Sequence, residues 1–309
     1  MTDRVLVTGG AGFVGANLVR LLLEGGREIR ILDDFRTGRE EYVAGLGAEV
    51  VRGEIGDTAL VTELARDVDA IVHLAAAGSV VDSVADPVAN FEANVRGTFS
   101  VLNAARAAEV GRVVFSSTGG ALIGNAEPPV NERSLPKPIS PYGAGKLAAE
   151  AYCHAFAKSY GMTTVALRFA NVYGPYSGHK KGAVTVFLRA LHEARPLQIF
   201  GDGSASRDFM YVDDICRGIE LALTHDVQPG TVAHLATGVE TSIAQLADAC
   251  RRAVGLPDHP VEFLPPRPGE VDRNFASYDY AREILGFKPT VGLDEGLAHT
   301  WDWYKRFVF

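Results

Sequence analysis

The sequence has few cysteines and lacks the patterns that mark disulfide frameworks, zinc sites and membrane spans. Its 309 residues include three cysteines, and neither their number nor their spacing fits a disulfide set or a zinc site. No uninterrupted apolar run is long enough for a signal peptide or a bilayer span. There is also no excess of positive charge, since 38 acidic residues outnumber 30 basic ones and the net charge is -8, which argues against binding to nucleic acid or to an anionic membrane. These shortages predict a cytoplasmic protein with a small ligand and with no metal, nucleic-acid or membrane partner.

What the sequence does contain is a regular alternation of strand-like and helix-like segments. Over the first half, short β-branched runs alternate with longer stretches in which apolar residues recur every three or four positions. The predicted strands are residues 4–8, 29–33, 49–52, 70–74, 112–117 and 163–169, and the predicted helices are 13–24, 90–108 and 141–160. This pattern predicts an α/β fold with a doubly wound parallel sheet of the Rossmann type, with about seven strands.

A glycine-rich segment follows the first predicted strand directly. It reads Thr8-Gly-Gly-Ala-Gly-Phe-Val-Gly15, so the chain can turn tightly there and let a pyrophosphate approach the N-terminus of the first helix. Asp33 ends the second strand 18 residues beyond Gly15, where a carboxylate accepts hydrogen bonds from ribose hydroxyls and repels a 2′-phosphate. Together they predict bound NAD. Arg36 leaves NADP open, because a guanidinium at that place can hold a 2′-phosphate.

The second half of the chain is less regular. Glycine and proline interrupt the pattern around 173–181 and 264–269, although a strand at 231–236 and a helix at 242–254 return. We therefore predict two interleaved domains. The NAD-binding Rossmann domain comprises residues 1–170 and 211–255, and a smaller substrate domain comprises 171–210 and 256–309.

Tyr142 and Lys146 are four residues apart in the predicted helix 141–160 and therefore share one face. A lysine charge, helped by the cation of an oxidised nicotinamide, lowers the pKa of a phenol, so that tyrosinate can accept a proton from a sugar hydroxyl near neutral pH. Taken alone, such a pair is more often a surface contact that supports a helix. The segment 116–118, Ser-Ser-Thr, however, stands at the end of a predicted strand, where open α/β sheets bind ligands. A phenol, an ammonium and a hydroxyl thus converge, which predicts proton transfer coupled to hydride transfer.

With these residues in order, the whole chain resembles the extended short-chain dehydrogenase/reductase family, and within it the sugar-nucleotide epimerase branch. The motifs that carry the resemblance are 8–15, Asp33, 53–57, 73–76, 94–98, 116–118, the Tyr142/Lys146 pair, 168–171, 201–203, 207–208 and 267–270. The resemblance implies bound NAD and a UDP-sugar substrate.

By this resemblance Tyr142 is the catalytic base, Lys146 binds the nicotinamide ribose and tunes the phenol, and Thr118 hydrogen-bonds the reacting sugar hydroxyl. Residues 54–55 flank the adenine, and Phe169 abuts the nicotinamide. The full set of implied cofactor residues is Gly9, Gly12, Phe13, Val14, Gly15, Asp33, Asp34, Thr37, Gly38, Glu54, Ile55, Leu74, Ala75, Ala76, Asn94, Ser116, Tyr142, Lys146 and Phe169.

The resemblance assigns a second set of residues to the nucleotide sugar. Asn171, Arg207 and Arg267 contact the diphosphate, a task that suits guanidinium groups. Glu270 binds the uridine ribose and Phe200 the uracil. The full set is Ser79, Thr118, Tyr142, Asn171, Val184, Phe200, Arg207, Arg267 and Glu270, and no metal ligand is implied.

The residues after Thr118 bear on the choice of reaction. Dehydrating relatives carry Thr-Asp-Glu there, because elimination of water needs an additional acid and base, and decarboxylating relatives place a glutamate beside the hydroxyl residue. Here the chain reads Thr118-Gly119-Gly120, and no carboxylate follows within five residues. The resemblance therefore implies an isomerase, an NAD-dependent 4-epimerase of a UDP-hexose of the UDP-glucose/UDP-galactose type, which acts through a transient 4-keto intermediate.

Several alternatives stay open. UDP-glucuronate and UDP-N-acetylhexosamine 4-epimerases fit the same motifs, because these hexoses differ only at carbons 2 and 6. A keto-sugar-nucleotide reductase using NAD(P) would need the same Tyr/Lys pair, and a non-catalytic nucleotide sensor would need only the fold. Three departures from the family pattern also stand out. Gly78 removes a polar contact beside the nicotinamide, Ile123 replaces a tyrosine, and Asn274 replaces a larger aromatic residue, which predicts a roomy sugar pocket.

The resemblance further implies a homodimer through helices 90–108 and 141–160. Each apolar residue of these helices can equally well pack against the protein's own sheet. The helix-spaced candidates for the contact are Val95, Phe99, Leu102, Tyr152 and Phe156.

The loop 176–182 is polar and cationic, and it follows the substrate segment at Asn171 directly. His179, Lys180 or Lys181 is predicted either to meet a diphosphate or sugar carboxylate when the loop closes, or to face water as most charged loop residues do.

Overall fold

The computed structural model describes residues 4–266 and 272–309, and fourteen strands are found in this part of the chain. In chain order the strands are β1 (Arg4–Thr8), β2 (Glu28–Asp33), β3 (Glu49–Arg52), β4 (Ala70–His73), β5 (Arg112–Thr118), β6 (Thr163–Phe169), β7 (Asn171–Tyr173), β8 (Leu197–Phe200), β9 (Ser206–Arg207), β10 (Phe209–Tyr211), β11 (Thr231–Leu235), β12 (Thr241–Ser242), β13 (Val261–Leu264) and β14 (Arg273–Asn274).

Helices connect these strands. They are α1 (Phe13–Glu24), a short 3₁₀ turn (Glu40–Tyr42), α2 (Thr58–Leu64), α3 (Val80–Ala85), α4 (Pro87–Phe91), a π-helical turn (Glu92–Arg96), α5 (Gly97–Ala107), α6 (Gly120–Ile123), α7 (Pro141–Tyr160), α8 (Ala183–His192), α9 (Val212–Thr224), α10 (Ile243–Val254), α11 (Asp279–Leu285) and α12 (Leu293–Phe307).

Seven of the strands form one parallel sheet in the order β11-β6-β5-β4-β1-β2-β3. After β1 the chain builds outward through β2 and β3, and then crosses to the other side of β1 to add β4, β5 and β6. The direction of winding reverses between β1 and β4, so a crevice opens at the carboxyl ends of these strands, where ligands bind in such sheets. The predicted doubly wound α/β fold is confirmed, and each of the six predicted strands ends within one residue of the observed one.

Helices cover both faces of the sheet. Successive apolar residues of each strand point to opposite faces, so each strand contributes to two separate cores. Val5 and Val7 pack with α1, α9 and α11 on one face, whereas Leu6 packs with α2, α5 and α7 on the other. These strands therefore read as continuous apolar runs rather than as alternating ones.

A second core lies beyond the sheet. It is built from α8, α10 and α12 with the small strands β8, β10 and β13, and Leu188, Leu246 and Tyr304 are fully buried in it. The predicted domain boundary at residue 255 assigns α10 to the Rossmann domain and α11 to the substrate domain. Both helices pack on the other side of that boundary. Helix α10 packs on α8 and α12, whereas α11, from the segment expected in the second domain, packs against β11 and α9 of the sheet domain.

The three cysteines, Cys153, Cys216 and Cys250, are buried and free. Within residues 4–266 and 272–309, none of the helices combines the length and the apolar character that crossing a membrane requires.

Candidate active site

The glycine-rich segment forms a tight turn between β1 and α1. Gly9 has φ +73°, and a Cβ there would lie 2.6 Å from the backbone nitrogen of Ala75, so only glycine fits. A Cβ on Gly15 would overlap the carbonyl oxygen of Gly9, which lets the helix start directly over the turn. Among the described residues no side chain caps α1, whose N-cap is Gly12, so the amides of Phe13 and Val14 can meet an anion there.

Asp33 holds this turn from the end of β2. Its Oδ2 accepts a hydrogen bond from the amide of Ala11, and its Oδ1 accepts one from Phe35, both at 2.9 Å. Burial raises the pKa of the Asp33 carboxyl, while these two amides oppose the rise. Arg36 points elsewhere, because its guanidinium contacts Asp34 at 3.1 Å and Glu54 at 2.6 Å. The two carboxylates compete with any phosphate for Arg36, so the geometry favours the NAD alternative over NADP.

The other predicted cofactor residues lie in loops along the same edge of the sheet. Gly38 packs against Ala11 and the Asp33 carboxylate, and Ile55 packs where Gly97 has no side chain. The remaining members follow the ends of β2, β3 and β4, and they are Asp34, Thr37, Glu54, Leu74, Ala75 and Ala76.

Asn94 lies in the π-helical turn, inside what the sequence predicts as a single helix. The wider turn aims its side chain at the loop after β4, where Oδ1 accepts from the Ala77 amide and Nδ2 donates to the Ala77 carbonyl, both at 3.1 Å. Asn94 thus holds the loop after β4 through both the amide and the carbonyl of Ala77. Such π-helical turns are often found at functional sites.

His73 connects this turn to the glycine-rich segment through a buried chain of hydrogen bonds. The Thr98 hydroxyl donates to the Asn94 carbonyl at 2.7 Å, so it accepts from His73 Nε2 at 3.0 Å. Nδ1 of the ring must then accept from the Thr8 hydroxyl, at 2.7 Å. Burial lowers the pKa of His73 to about 3, so the ring is neutral and its tautomer is fixed.

Tyr142 and Lys146 lie on the face of α7 that packs against the end of β5. Lys146 is 3% exposed, and its Nζ donates to the Ser116 carbonyl at 2.8 Å and lies 6.0 Å from the centroid of the Tyr142 ring. Thr118 pairs with Phe169 across the β5–β6 ladder. Lys146 thus joins α7 to the end of β5, where Thr118 and Phe169 stand side by side on neighbouring strands.

The sequence predicts that the lysine and the nicotinamide cation together lower the pKa of the phenol. In the protein by itself, burial raises the pKa of Tyr142 to about 12. Burial also lowers the pKa of Lys146 to about 8. The ammonium donates to the Ser116 carbonyl and lies 6.0 Å from the centroid of the phenol ring. A further positive charge next to the ring would favour tyrosinate.

Two glycines between the tyrosine and the lysine explain how α7 reaches this position. A Cβ on Gly143 would overlap the backbone carbonyl of Ala121 in α6, and a Cβ on Gly145 would lie 3.3 Å from Cβ of Asn94. The segment 142–146 is therefore set between α6 and the π-helical turn, while the Tyr142 amide donates to Ser83 at 3.2 Å.

The space beside Thr118 is filled by two side chains from other elements. A Cβ on Gly119 would lie 3.2 Å from Nδ1 of His234, and one on Gly120 would lie 3.1 Å from Oδ1 of Asn274. Burial lowers the pKa of His234 to about 3, so this imidazole is neutral. These two positions thus lack carboxylates and are also closely packed.

The residues predicted for the nucleotide sugar stand on the far side of the crevice. Asn171 opens β7 and donates its amide to the Asp208 carbonyl at 2.9 Å, and Arg207 on β9 pairs with Asn274 of β14. Ser79 caps α3 by accepting from Asp82 at 3.1 Å. Val184 lies in α8, and its side chain is buried in the second core.

Phe200 ends β8 opposite Leu264 of β13, beside a shallow groove lined by residues 201–202, 263–264 and Pro266. Arg267 and Glu270, predicted for the diphosphate and the uridine ribose, lie outside the described residues.

Sequence reasoning gave no role to three buried residues that support the site. His73 and Arg168 lie in recognised motifs, and Glu150 lies one helical turn beyond Lys146. The spacing of four from Lys146 is the signal that points to Glu150, because it places both residues on one face of α7. No local pattern reveals the partners of His73, since they come from β1 and α5.

Comparison with known proteins places this arrangement in context. The model of the NAD dependent epimerase/dehydratase family matches residues 5–239. A UDP-glucose 4-epimerase of Mycolicibacterium smegmatis is 40% identical, over 98% of this chain and 99% of the relative. A dTDP-glucose 4,6-dehydratase of Streptomyces niveus is 32% identical, over 98% of this chain and 93% of that protein.

Solved structures give a similar picture. The UDP-glucose 4-epimerase of Thermotoga maritima with UDP-glucose matches with a TM-score of 0.94 at 34% identity, over 99% and 100% of the two chains. A UDP-N-acetylglucosamine 4-epimerase of Methanobrevibacter ruminantium has a TM-score of 0.93 at 30% identity, over 99% of each chain. A UDP-glucuronic acid 4-epimerase of Bacillus cereus, in complex with UDP-glucuronic acid and NAD, has a TM-score of 0.90 at 30% identity, over 98% and 99%.

Proposed function

The chain belongs to the NAD-dependent epimerase/dehydratase family, and from this premise we propose that it is a 4-epimerase of a UDP-hexose of the UDP-glucose/UDP-galactose type. The cofactor is NAD. Because the family includes epimerases and dehydratases, the choice between these reactions rests on the residues of this chain's own site.

The residues of the crevice fit NAD. The turn at Gly9 and Gly12 leaves room for a pyrophosphate against the first amides of α1, and Asp33 offers a carboxylate for the adenosine ribose. Lys146 would hold the nicotinamide ribose, and Phe169 would contact the nicotinamide ring.

When bound, NAD would supply a hydride acceptor and donor for carbon 4 of the sugar and, in its oxidised form, a positive charge beside Tyr142. The Tyr142 oxygen would accept the proton of the 4-hydroxyl when carbon 4 is oxidised, and it would return that proton when carbon 4 is reduced from its other face. Lys146 supplies positive charge behind the phenol, and Thr118 hydrogen-bonds the reacting oxygen. Substrate and cofactor therefore undergo no net oxidation or reduction.

One observation carries the choice of epimerisation over dehydration. Elimination of water needs an acid and a base beyond Tyr142, and the dehydrating relatives supply them directly after the threonine. In this chain those positions are Gly119 and Gly120, and His234 and Asn274 occupy the space that acidic side chains would need. The single proton shuttle that the site retains is sufficient for a 4-epimerase.

The hexose is proposed from the relatives of this chain. The glucose type rests on the relative at 40% identity, whereas neighbours that act on UDP-glucuronic acid and UDP-N-acetylglucosamine have nearly the same fold. A Cβ on Gly78 would meet no described atom within 4 Å, so the space beside this glycine is open.

The test is product analysis with UDP-galactose, UDP-glucuronate and UDP-N-acetylgalactosamine, without added reductant. We expect UDP-glucose from UDP-galactose, and a loss of roughly a hundredfold or more in Tyr142→Phe, which removes the proton acceptor without leaving a cavity. Tyr280→Phe, at a partly exposed tyrosine of α11, is the matched control and should stay fully active.

Other outcomes would identify the rivals. Net consumption of NADH would indicate a keto-sugar reductase, loss of water a dehydratase, and binding without turnover a nucleotide sensor. Preference for one of the other two sugars would keep the reaction and change the substrate.

We also propose a homodimer, formed by α4, α5 and α7. Phe99 and Tyr152 are each 41% exposed and contact each other with ring centroids 5.4 Å apart, and Phe91 extends the apolar surface. Two of the predicted contact residues are instead buried in the protein's own core, namely Leu102 and Phe156. The cytoplasmic location stays a prediction.

A further inference from the structure

A buried ion pair lies directly behind the Tyr142/Lys146 pair. Glu150 of α7 and Arg168 of β6 are each 5% exposed, and Arg168 donates from Nε to Oε1 at 2.9 Å and from Nη2 to Oε2 at 2.8 Å. The Ser117 hydroxyl adds a third hydrogen bond, to Oε1 at 2.6 Å. Through these three hydrogen bonds, two of them charge-assisted, Glu150 connects α7 to the carboxyl ends of both β5 and β6.

The groups proposed to carry the chemistry are neighbours of this pair along the chain. Ser117 lies between Ser116, whose carbonyl accepts from Lys146, and Thr118. Arg168 pairs with Ser117 in the ladder and directly precedes Phe169. A shift of Glu150 or Arg168 would thus move the strand ends on which the proposed contacts depend.

Stability alone gives a poor reason for such a pair. Taking two charges out of water costs about as much as their attraction returns, so apolar replacements of buried pairs are often neutral or stabilising. The pair is better explained by its effect on the position of the strand ends and on the charge near Lys146.

The charge that faces Lys146 can be followed group by group. On its own helix it faces Tyr142, Glu150 and Cys153, and burial raises the pKa of this thiol to about 12, which keeps it neutral. From β4 it faces His73, whose ring is neutral, and Arg168 of β6 stands beyond Glu150. Glu150 is the carboxylate that α7 carries one turn beyond Lys146, and its ion pair is with Arg168.

We propose that Glu150 and Arg168 are positioning residues for the reaction proposed above, because they fix the ends of β5 and β6 against α7. Removal of the Glu150 charge alone would leave Arg168 as an unpaired buried cation behind this site, which disfavours the charged form of Lys146. This inference rests on the proposed function. It adds two residues that touch neither substrate nor cofactor but set the place and the charge of those that do.

The first test is Glu150→Gln in the NAD-loaded enzyme. The amide oxygen still accepts from Ser117 and the volume is kept, but the negative charge is lost. We expect kcat to fall roughly tenfold or more, with KM for the UDP-sugar within about twofold, and the alkaline limb of the pH profile to move down by about one pH unit. Arg168→Lys, which keeps the charge, should restore part of kcat relative to Arg168→Met.

A second measurement does not depend on turnover. The difference in unfolding free energy between a protein and its Lys146→Met partner depends on pH where Lys146 titrates. In the Glu150→Gln background this dependence should begin about one pH unit lower than in the wild-type background. If the wild type epimerises no UDP-sugar, the proposed function fails, while this measurement still decides whether Glu150 controls the charge of Lys146.

Asp214→Asn is the matched control. Asp214 is a fully buried carboxylate remote from the site, and it accepts from the amides of Thr290 and Val291. We expect its variant to lose stability but to keep the wild-type pH profile. If Glu150→Gln behaves in the same way, with unchanged kcat and alkaline limb, the pair is only structural and the inference is overturned.

Should Glu150→Gln fail to fold, the double variant Glu150→Leu/Arg168→Met removes both charges at once. Such replacements usually preserve folding. We expect its kcat to fall while its alkaline limb stays near that of the wild type, because the net charge facing Lys146 changes little. Wild-type kcat in this variant would overturn the positioning role.

Discussion

At the scale of single residues, Lys146 combines burial with charge. Its ordinary pKa is lowered to about 8 by burial, so between about pH 8 and pH 10.5 the unfolded chain holds a proton that the folded chain has released. The unfolding free energy contributed by this residue therefore rises with pH across that window, and below pH 8 the buried charge costs on the order of 3 kcal/mol.

From this we predict that Lys146→Met stabilises the ligand-free protein by about 1–3 kcal/mol at pH 7, because it removes a desolvated charge. The gain should shrink as the pH rises from 8 to 10, where the wild-type lysine becomes neutral. Urea unfolding of both proteins at several pH values measures this. A gain that does not change with pH would contradict the assigned cause.

Gly143 is the second residue whose effect can be predicted. An added Cβ would lie 2.8 Å from the carbonyl carbon of Ala121 and closer still to its oxygen, and both are backbone atoms with little freedom to move. We expect Gly143→Ala to lower the unfolding free energy by about 1–3 kcal/mol and to reduce activity, because Tyr142 is displaced.

Gly111→Ala is the control for this substitution, since a Cβ there would meet no described atom within 4 Å. Its stability should stay within about 0.5 kcal/mol of the wild type. Equal stability of the two variants in urea would show that α6 can yield to the added methyl group.

At the scale of elements, the loop 176–182 is held at one end. Tyr176 lies between Tyr42 of the 3₁₀ turn and Trp303 of α12, and the Gly178 carbonyl accepts from Arg189 of α8 at 2.8 Å. The second half faces α3, where Lys181 Nζ is 3.9 Å from Asp82. The loop thus reaches across the mouth of the crevice from the second core towards the segment at Ser79.

We expect the double variant Lys180→Ala/Lys181→Ala to raise KM for UDP-glucose and UDP-glucuronate by the same factor, at unchanged kcat and with less effect in high salt. Exposed charges at the mouth of a cleft attract an anionic diphosphate, which both substrates carry. Lys288→Ala, at an exposed lysine elsewhere, serves as the control. A loss confined to UDP-glucuronate would instead indicate recognition of the sugar carboxylate, and unchanged kinetics would leave the loop without a role.

Elements were also where sequence prediction was most accurate. The helices α1 and α7 and the strands β3 and β6 have the predicted ends, because their boundaries are set locally by glycine, proline and serine and by the apolar repeat. The π-helical turn at Glu92–Arg96 was predicted as ordinary helix. The apolar residues of this segment have ordinary helical spacing, so the sequence gives no sign of the wider turn. The turn accompanies the hydrogen bonds between Asn94 and Ala77, which are 17 residues apart in the sequence.

For the site, the positions of Tyr142, Lys146, Thr118 and Asp33 could be predicted because motif spacing fixes them. The rise in the pKa of Tyr142 could not be predicted, because it depends on burial in the folded chain, which the spacing of the motif does not reveal. The supporting network behind the site was missed for the same reason, since Glu150, Arg168 and Ser117 meet only in the folded chain.

At the scale of the whole molecule, the exposed aromatic residues of α5 and α7 bear on the assembly. A charge at the centre of this surface should prevent a dimer, because it would be buried without a partner. We predict that the wild type has the mass of a dimer by light scattering at micromolar concentration and that Tyr152→Glu is a monomer. Leu256→Glu, at an exposed leucine after α10, should leave the dimer intact. A monomeric wild type would refute the proposed homodimer.

The position of β11 in the sheet has a consequence for the synthesis of the protein. β11 covers β6 at the edge of the sheet, yet it lies about 60 residues further along the chain. At ordinary rates of translation β6 is therefore an open edge for roughly 3–12 seconds before its partner leaves the ribosome. An unpaired apolar strand invites pairing with other nascent chains, so the growing polypeptide passes through its greatest risk of aggregation in that interval. Slow codons between Phe169 and Thr231 should lower the soluble yield, whereas slow codons after Leu235 should not.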